Sequence, residues 1–221
     1  MTLHHGLRAA AGNTNTSSGP TVYNYTTGSI PSWLQQRTRY SSYTGFDANG
    51  FWINGNAYGT SNSYPIATNN VAFTGTNFDI KFVAVKNNSC SDHGFCIFKT
   101  GTSPVWSWSM ASSRIAFQWN CSSPFWYPPT GNSISNTGAS NIDTYFVHIT
   151  LNLTTGAYTT DIRTGSFTGT QVTIISATSS DMKLSNLNGW SSGDTYEIGF
   201  DADQDTTSFK SYFKDITITV S

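Results

Sequence analysis

Three carboxylates at alternate positions, Asp201, Asp203 and Asp205, follow the chain's single glutamate, Glu197. If the strand carrying Glu197 ran on through them, all four would share one face, with neighbours about 6.5 to 7 Å apart. That spacing suits an acid and base pair inverting a sugar bond, which needs about 6.5 to 9.5 Å. Carboxylate oxygens in this number also suit Ca²⁺. The simpler expectation is a solvated turn, since nothing in the sequence marks either Asp201 or Asp203 for a raised pKa. An EF-hand-type loop beginning at Asp201 would place Thr206 where Gly is needed and Tyr212 where Glu is needed. Calcium on Asp201, Asp203 and Asp205 stays as the alternative, and no other cofactor is expected.

Cys90, His93, Cys96 and Cys121 include the ligand types that hold zinc, but Cys90-x₂-His93-x₂-Cys96 is not a finger spacing. A Cys90–Cys96 bridge is a second option. Ordinary reduced thiols lead, because three cysteines cannot all pair within one chain. Trp126 and Tyr127 sit in the run Pro124-Phe125-Trp126-Tyr127-Pro128-Pro129, whose prolines argue against a central strand and for an aromatic loop. Such rings suit stacking against sugars, and equally suit contact with a neighbouring subunit or packing in their own domain. No Gly-x-Ser-x-Gly elbow accompanies the histidines, and His148 falls among Thr and Asn on the polar side of a strand.

These groups have to be positioned by strands. Thr, Ser, Asn and Gly fill 100 of 221 positions, and such residues favour turns and extended chain over helix. Phe78, Ile80, Phe82 and Ala84 alternate with other residues, as do Tyr145, Val147, Ile149, Leu151 and Leu153. Period-two spacing of this kind marks half-buried strands. Thr155-Gly156 supplies a turn before Tyr158, Thr160 and Ile162, Val172 to Ile175 adds a strand, and Trp106 and Trp108 read as core. Ser32 to Arg37 reads as a weak helical turn. Near the C-terminus, Tyr196, Ile198 and Phe200, then Tyr212, Ile216, Ile218 and Val220, predict a final antiparallel pair closing against a first strand near Val22.

Residues 1–20 carry a small apolar patch with Leu3, Leu7 and Arg8, then a polar tract typical of extended linkers. An arm reaching a partner is the expectation for 1–20, ahead of one β-sandwich domain over 21–221. A net charge of -1 and the lack of a basic run give no footprint for nucleic acid or an anionic membrane. No apolar run is long enough to span a bilayer, and the first residues lack the apolar core of a signal peptide.

The segments YFVHITLNLTTGAYTTDI and GDTYEIGFDADQDTTSFKSYFKDITITV resemble the C-terminal half of concanavalin A-like jelly rolls, the lectin, laminin-G and glucanase class. The resemblance covers about residues 70–221 and implies an all-β, antiparallel two-sheet jelly-roll sandwich with a final hairpin. Glucanases of this class carry Glu-x-Asp-x-Glu, whereas here Gly199 stands where Glu197 needs its Asp. An enzyme is therefore not expected. The opening LRAAAGNTN and its Ser- and Gly-rich continuation resemble the starts of small virion structural proteins of marine tailed phages. Together these imply a non-enzymatic virion component, a capsid decoration or fibre, assembled in the host cytoplasm with copies of itself, as a trimer, and with other virion proteins. The alternative is a lectin-like module for host surface glycans, and the third reading a polysaccharide-active enzyme.

Overall fold

A computed structural model describes residues 20–36, 42–54, 66–68, 75–85, 92–101, 114–119, 124–128, 134–135, 144–187, 189–191, 193–203 and 210–221. Its strands are β1 (Thr21–Tyr25), β2 (Leu34–Gln36), β3 (Thr44–Asp47), β4 (Gly50–Asn54), β5 (Ile66–Thr68), β6 (Asn77–Val85), β7 (Asp92–Lys99) and β8 (Arg114–Trp119). They continue as β9 (Pro124–Tyr127), β10 (Ile134–Ser135), β11 (Thr144–Asn152), β12 (Ala157–Thr164), β13 (Thr170–Thr178), β14 (Tyr196–Asp203) and β15 (Lys210–Val220). The arm carrying Leu3, Leu7 and Arg8 lies outside the described residues, as do Trp106 and Trp108.

Two antiparallel sheets pack face to face, the concanavalin A-like jelly-roll sandwich expected. Sheet A has eight strands in the order β13-β12-β11-β6-β15-β4-β3, with β1 also on β15. Sheet B has seven, in the order β10-β9-β8-β7-β14-β5-β2. The expected closure is present: Thr21 to Tyr25 pair with Val220 to Ile216. Where β15 changes neighbour from β4 to β1 its register shifts, and Asp215 takes φ 49° with its amide donating to the Thr26 carbonyl at 3.2 Å. An extra residue in a ladder is accommodated by such a bulge, and Asp tolerates the left-handed region better than most.

Three expectations are corrected. The C-terminal strands do not form a hairpin, because β14 belongs to sheet B and β15 to sheet A. Both keep one apolar face, and those faces meet across the core, with the rings of Phe200 and Phe213 5.6 Å apart; alternation alone does not distinguish pairing from facing. Similarly, Cys96 to Lys99, which read in the sequence as a return along β6 after a turn at Asn87 to Gly94, belong to β7, and β7 pairs with β8 and β14 instead. The run after Ser32 gives strand β2, not a helical turn, and the local bend is only the Leu34 amide bonded to the Pro31 carbonyl at 3.1 Å.

The core between the sheets is largely aromatic. Phe51 stacks on Phe213 at 4.9 Å, and Phe200 of sheet B meets Phe51 and Phe82 of sheet A edge-on at 5.5 and 6.4 Å. Rings in tilted and T-shaped contact gain from their quadrupoles as well as from burial.

Candidate functional site

The sequence-derived candidates are dispersed. Strand β14 continues through Asp203, so Asp201 and Asp203 belong to a strand where a turn was expected, their backbones opposite Gly94 and Asp92. Their side chains, and the whole of Asp205, lie outside the described residues, and the calcium expectation with them. Among the described residues no three His, Cys, Asp or Glu side chains group as metal ligands do. Cys96 is fully buried in mid-strand opposite Gly199 and Ala116, while Cys90 and Cys121 lie outside the described residues.

Pro124 to Tyr127, expected as a loop, form β9 between β8 and β10. Pro124 stands at the first position of the strand and Pro128 just past its end, where the missing amide costs no ladder bond. Trp126 consequently points into the core with no exposed surface, against Phe117 at 5.2 Å and Tyr158 at 5.6 Å. Its indole N–H donates to Thr160 Oγ1 at 2.9 Å, joining the two sheets. A ring buried on both faces presents nothing to a sugar, so the stacking role expected of Trp126 is withdrawn. Tyr127 pairs by its backbone with Ala116, and its side chain lies outside the described residues.

His148 lies on the outer face of sheet A, its Nε2 3.1 and 3.2 Å from the two carboxylate oxygens of Asp79. This pair sits beside Lys81 on an open, Thr-rich surface. It is a hydrogen-bonded pair on the surface, as the polar setting of His148 suggests.

A concave site does form at the end of the sandwich, from the connection between β13 and β14. Two short 3₁₀ turns, Ser180–Met182 and Leu184–Asn186, send Met182, Leu184 and Leu187 into the core as a plug. The plug is docked by backbone bonds from Leu184 to the Leu153 carbonyl at 3.0 Å and from Ser179 to the Gly156 carbonyl at 3.0 Å. Gly156 has φ 78°, and a Cβ there would come within 1.9 Å of the Ser179 carbonyl oxygen, so this approach requires glycine.

Beyond the plug, Trp190 packs against Tyr196 at 5.3 Å with the rings tilted by 35°, and the Tyr196 hydroxyl donates to the Gly75 carbonyl. Burial raises the Tyr196 pKa to about 12, so the hydroxyl remains a donor. Asp194 Oδ2 accepts from the Ser191 amide at 2.7 Å and from Lys99 Nζ at 2.7 Å, and Lys99 also donates to the Gly189 carbonyl at 2.8 Å. The Lys99 bond, then the Ser191 amide, holds the Asp194 carboxyl below its usual range. Both bonds fall on Oδ2, leaving Oδ1 as an acceptor.

The result is a cleft of about 350 Å³ with Leu153, Leu184 and the buried Tyr196 as its floor, the half-buried Trp190 as its aromatic wall, and Asp194, Thr76, Thr154 and Ser185 as polar groups. Apolar lining with a few placed polar groups is what a small-ligand site requires. In the sequence Leu184, Ser185, Trp190 and Asp194 fall in a Ser- and Asn-rich stretch with no period, while Thr76, Leu153, Thr154 and Tyr196 come from outside it. The available signal was Trp190, a large aromatic isolated in a polar loop.

No family profile matches the chain, and no curated protein matches it in sequence. Among solved structures it is similar to arcelin-5, a lectin-like defence protein from Phaseolus vulgaris, at TM-score 0.62 and 9% identity, covering 92% of this chain and 99% of that one. It is also similar to the basic winged bean lectin solved with Tn-antigen, at TM-score 0.65 and 9% identity over 91% and 98% of the two chains. A third similar structure is the CBM2 module of the evolved Dit of Lactobacillus casei BL23 phage J-1, at TM-score 0.50 and 12% identity over 91% and 96%. At these identities the likeness is one of fold. Among the described residues no helix is long and apolar enough to cross a membrane.

Proposed function

We propose that this chain is a non-enzymatic, lectin-like glycan-binding domain whose binding site is the Trp190–Asp194 cleft. The observation that carries the reading is the combination in one cleft of an aromatic wall with an anionic acceptor and neighbouring hydroxyls. Sugars present C–H faces that stack on indole, and hydroxyls that need acceptors in fixed positions. Lys99 contributes by fixing Asp194 and residue 189 together, so the polar group is already ordered when a ligand arrives. The lectins of similar fold support the same reading, and Gly199 two residues after the lone Glu197 speaks against a glucanase.

The test is a glycan array with the wild-type chain and with Trp190→Ala. Binding to at least one glycan class, reduced tenfold or more in the variant, supports the cleft. Binding that survives Trp190→Ala moves the site elsewhere on the domain, and no binding to any glycan removes the reading. Release of reducing ends from polysaccharide would restore an enzyme.

A second reading concerns where the domain works. We propose that it is displayed on a phage particle as a capsid or fibre component, a setting favoured by the similarity in fold to a module of the phage J-1 Dit. Purified particles should then contain the chain in stoichiometric copies by mass spectrometry. Its absence from them would end this reading and leave the glycan-binding one standing.

A further inference from the structure

The outer face of sheet A carries a second cleft, of about 430 Å³, within the range of about 300 to 1,000 Å³ usual for small-ligand sites. Lys81 of β6, Thr217 of β15 and Asn24 of β1 are cross-strand partners in one row and line it. Asp215 and Phe167 line it as well, and it shares no lining residue with the Trp190 cleft.

Two irregularities of the sheet bring Asp215 and Phe167 there. Asp215 stands in the β15 bulge, and a bulge re-aims the side chains that it carries. Phe167 belongs to the connection between β12 and β13, which folds over the face so that its ring meets Phe146 of β11 edge-on at 5.3 Å. The Gly169 amide donates to the Ser166 carbonyl at 3.0 Å and Arg163 Nη1 to the Gly169 carbonyl at 3.1 Å, so this wall is ordered before any ligand arrives.

The cleft holds charges of both signs that do not neutralise each other. Among the described residues the Asp215 carboxylate takes no hydrogen bond or ion pair. Lys81 has one ion-pair partner, Asp79 at 3.9 Å, too far for a hydrogen bond. Asn24 Oδ1 accepts from the Thr217 hydroxyl at 3.0 Å, which leaves the Asn24 amide hydrogens as donors on the same row as Lys81.

We propose that this cleft binds a free α-amino acid with an apolar side chain, its ammonium group on Asp215, its carboxylate on Lys81 and the Asn24 amide, and its side chain on Phe167. The hydroxyls of a sugar would leave both protein charges uncompensated, whereas a zwitterion pairs each with its opposite. A simple anion would meet Asp215 and a simple cation would meet Lys81, so a ligand carrying both charges is selected.

Isothermal titration calorimetry of the full chain with L-phenylalanine and with L-leucine should show binding of at least one. Capping the ammonium of that ligand as its N-acetyl derivative, or its carboxylate as the amide, should each weaken binding tenfold or more. Asp215→Asn keeps a side chain that tolerates the left-handed φ, and in it the difference between the free and the N-acetylated ligand should disappear. In Lys81→Gln the difference between the free ligand and its amide should disappear. Trp190→Ala should leave the affinity unchanged. No binding of either amino acid, capped ligands that bind as well as the free one, binding lost in Trp190→Ala, or an Asp215→Asn variant of wild-type circular dichroism that still prefers the free ammonium would each overturn the proposal.

Discussion

The two sheets share a core but treat their outer faces differently. In sheet A, β11 alternates along its whole length, with Tyr145, Val147, Ile149 and Leu151 buried and Thr144, Phe146, His148, Thr150 and Asn152 half-buried. In sheet B, β7 is buried on both sides: Phe95 and Ile97 face the core, yet Cys96 and Phe98 beside them also have no exposed surface. Neighbouring β8 repeats this, with Ile115 and Phe117 on one side and Arg114, Ala116 and Gln118 shielded on the other. A strand wet on one side can vary there freely. One dry on both sides constrains every residue, and its polar members must be satisfied internally.

The sharpest way to break this comparison is a pair of truncations on the two outer faces. Phe98→Ala should cost about 3 to 5 kcal/mol in chemical denaturation, the usual range for a fully buried ring. Thr150→Ala, on the outer face of sheet A, should stay within about 0.5 kcal/mol. Equal effects would mean that the outer face of sheet B is not a second interior.

Next in size, Gly156→Ala tests whether sheet A's sensitivity lies at its ends. The left-handed φ costs a side chain about 1 to 2 kcal/mol, and the close Ser179 carbonyl adds to it. The variant should melt at lower temperature, and it should weaken glycan binding, because the plug docked there carries the Trp190 loop.

Alkali probes the interior from both sides. Burial, with the nearby Asp47 carboxylate, raises the Tyr25 pKa to about 12, and burial alone does the same to Tyr196. The folded chain therefore holds these protons where the unfolded chain loses them. Stability should be constant up to about pH 10 and fall as pH rises toward about 12, with the phenolate absorbance of Tyr25 and Tyr196 appearing in step with unfolding. Phenolate absorbance from all tyrosines before unfolding would show that the interior is open to solvent. The smallest effect belongs to the exposed pair on sheet A: His148→Ala should change stability by less than about 0.5 kcal/mol at pH 7.

What the sequence revealed depends on the same difference between sheets. Alternation located β6, β11, β12 and the closing partnership of β15 with β1, because in sheet A burial follows the strand period. It failed at Pro124 to Tyr127, where prolines at the two ends of a short strand look like a loop, and it left Trp126 open between ligand stacking, subunit contact and the core, where the ring in fact lies. It also failed to assign β14 and β15 to different sheets, since inward-facing strands show one pattern whichever sheet they join. The Trp190 cleft was missed for another reason: it is assembled by 3₁₀ turns and distant backbone bonds, which leave no period to read.

The place of β15 in sheet A has a kinetic consequence. This strand lies between β6 on one side and β4 and β1 on the other, so sheet A stays in three pieces until residues 210–220 are available. Pairing Thr21 with Val220 closes a loop of almost the whole sequence, the kind of remote contact that slows folding. During synthesis β6, β11, β12 and β13 can assemble first, with the β6 edge temporarily bare. A chaperone binding there, or a slow wait on the ribosome, would act on the last strand to arrive.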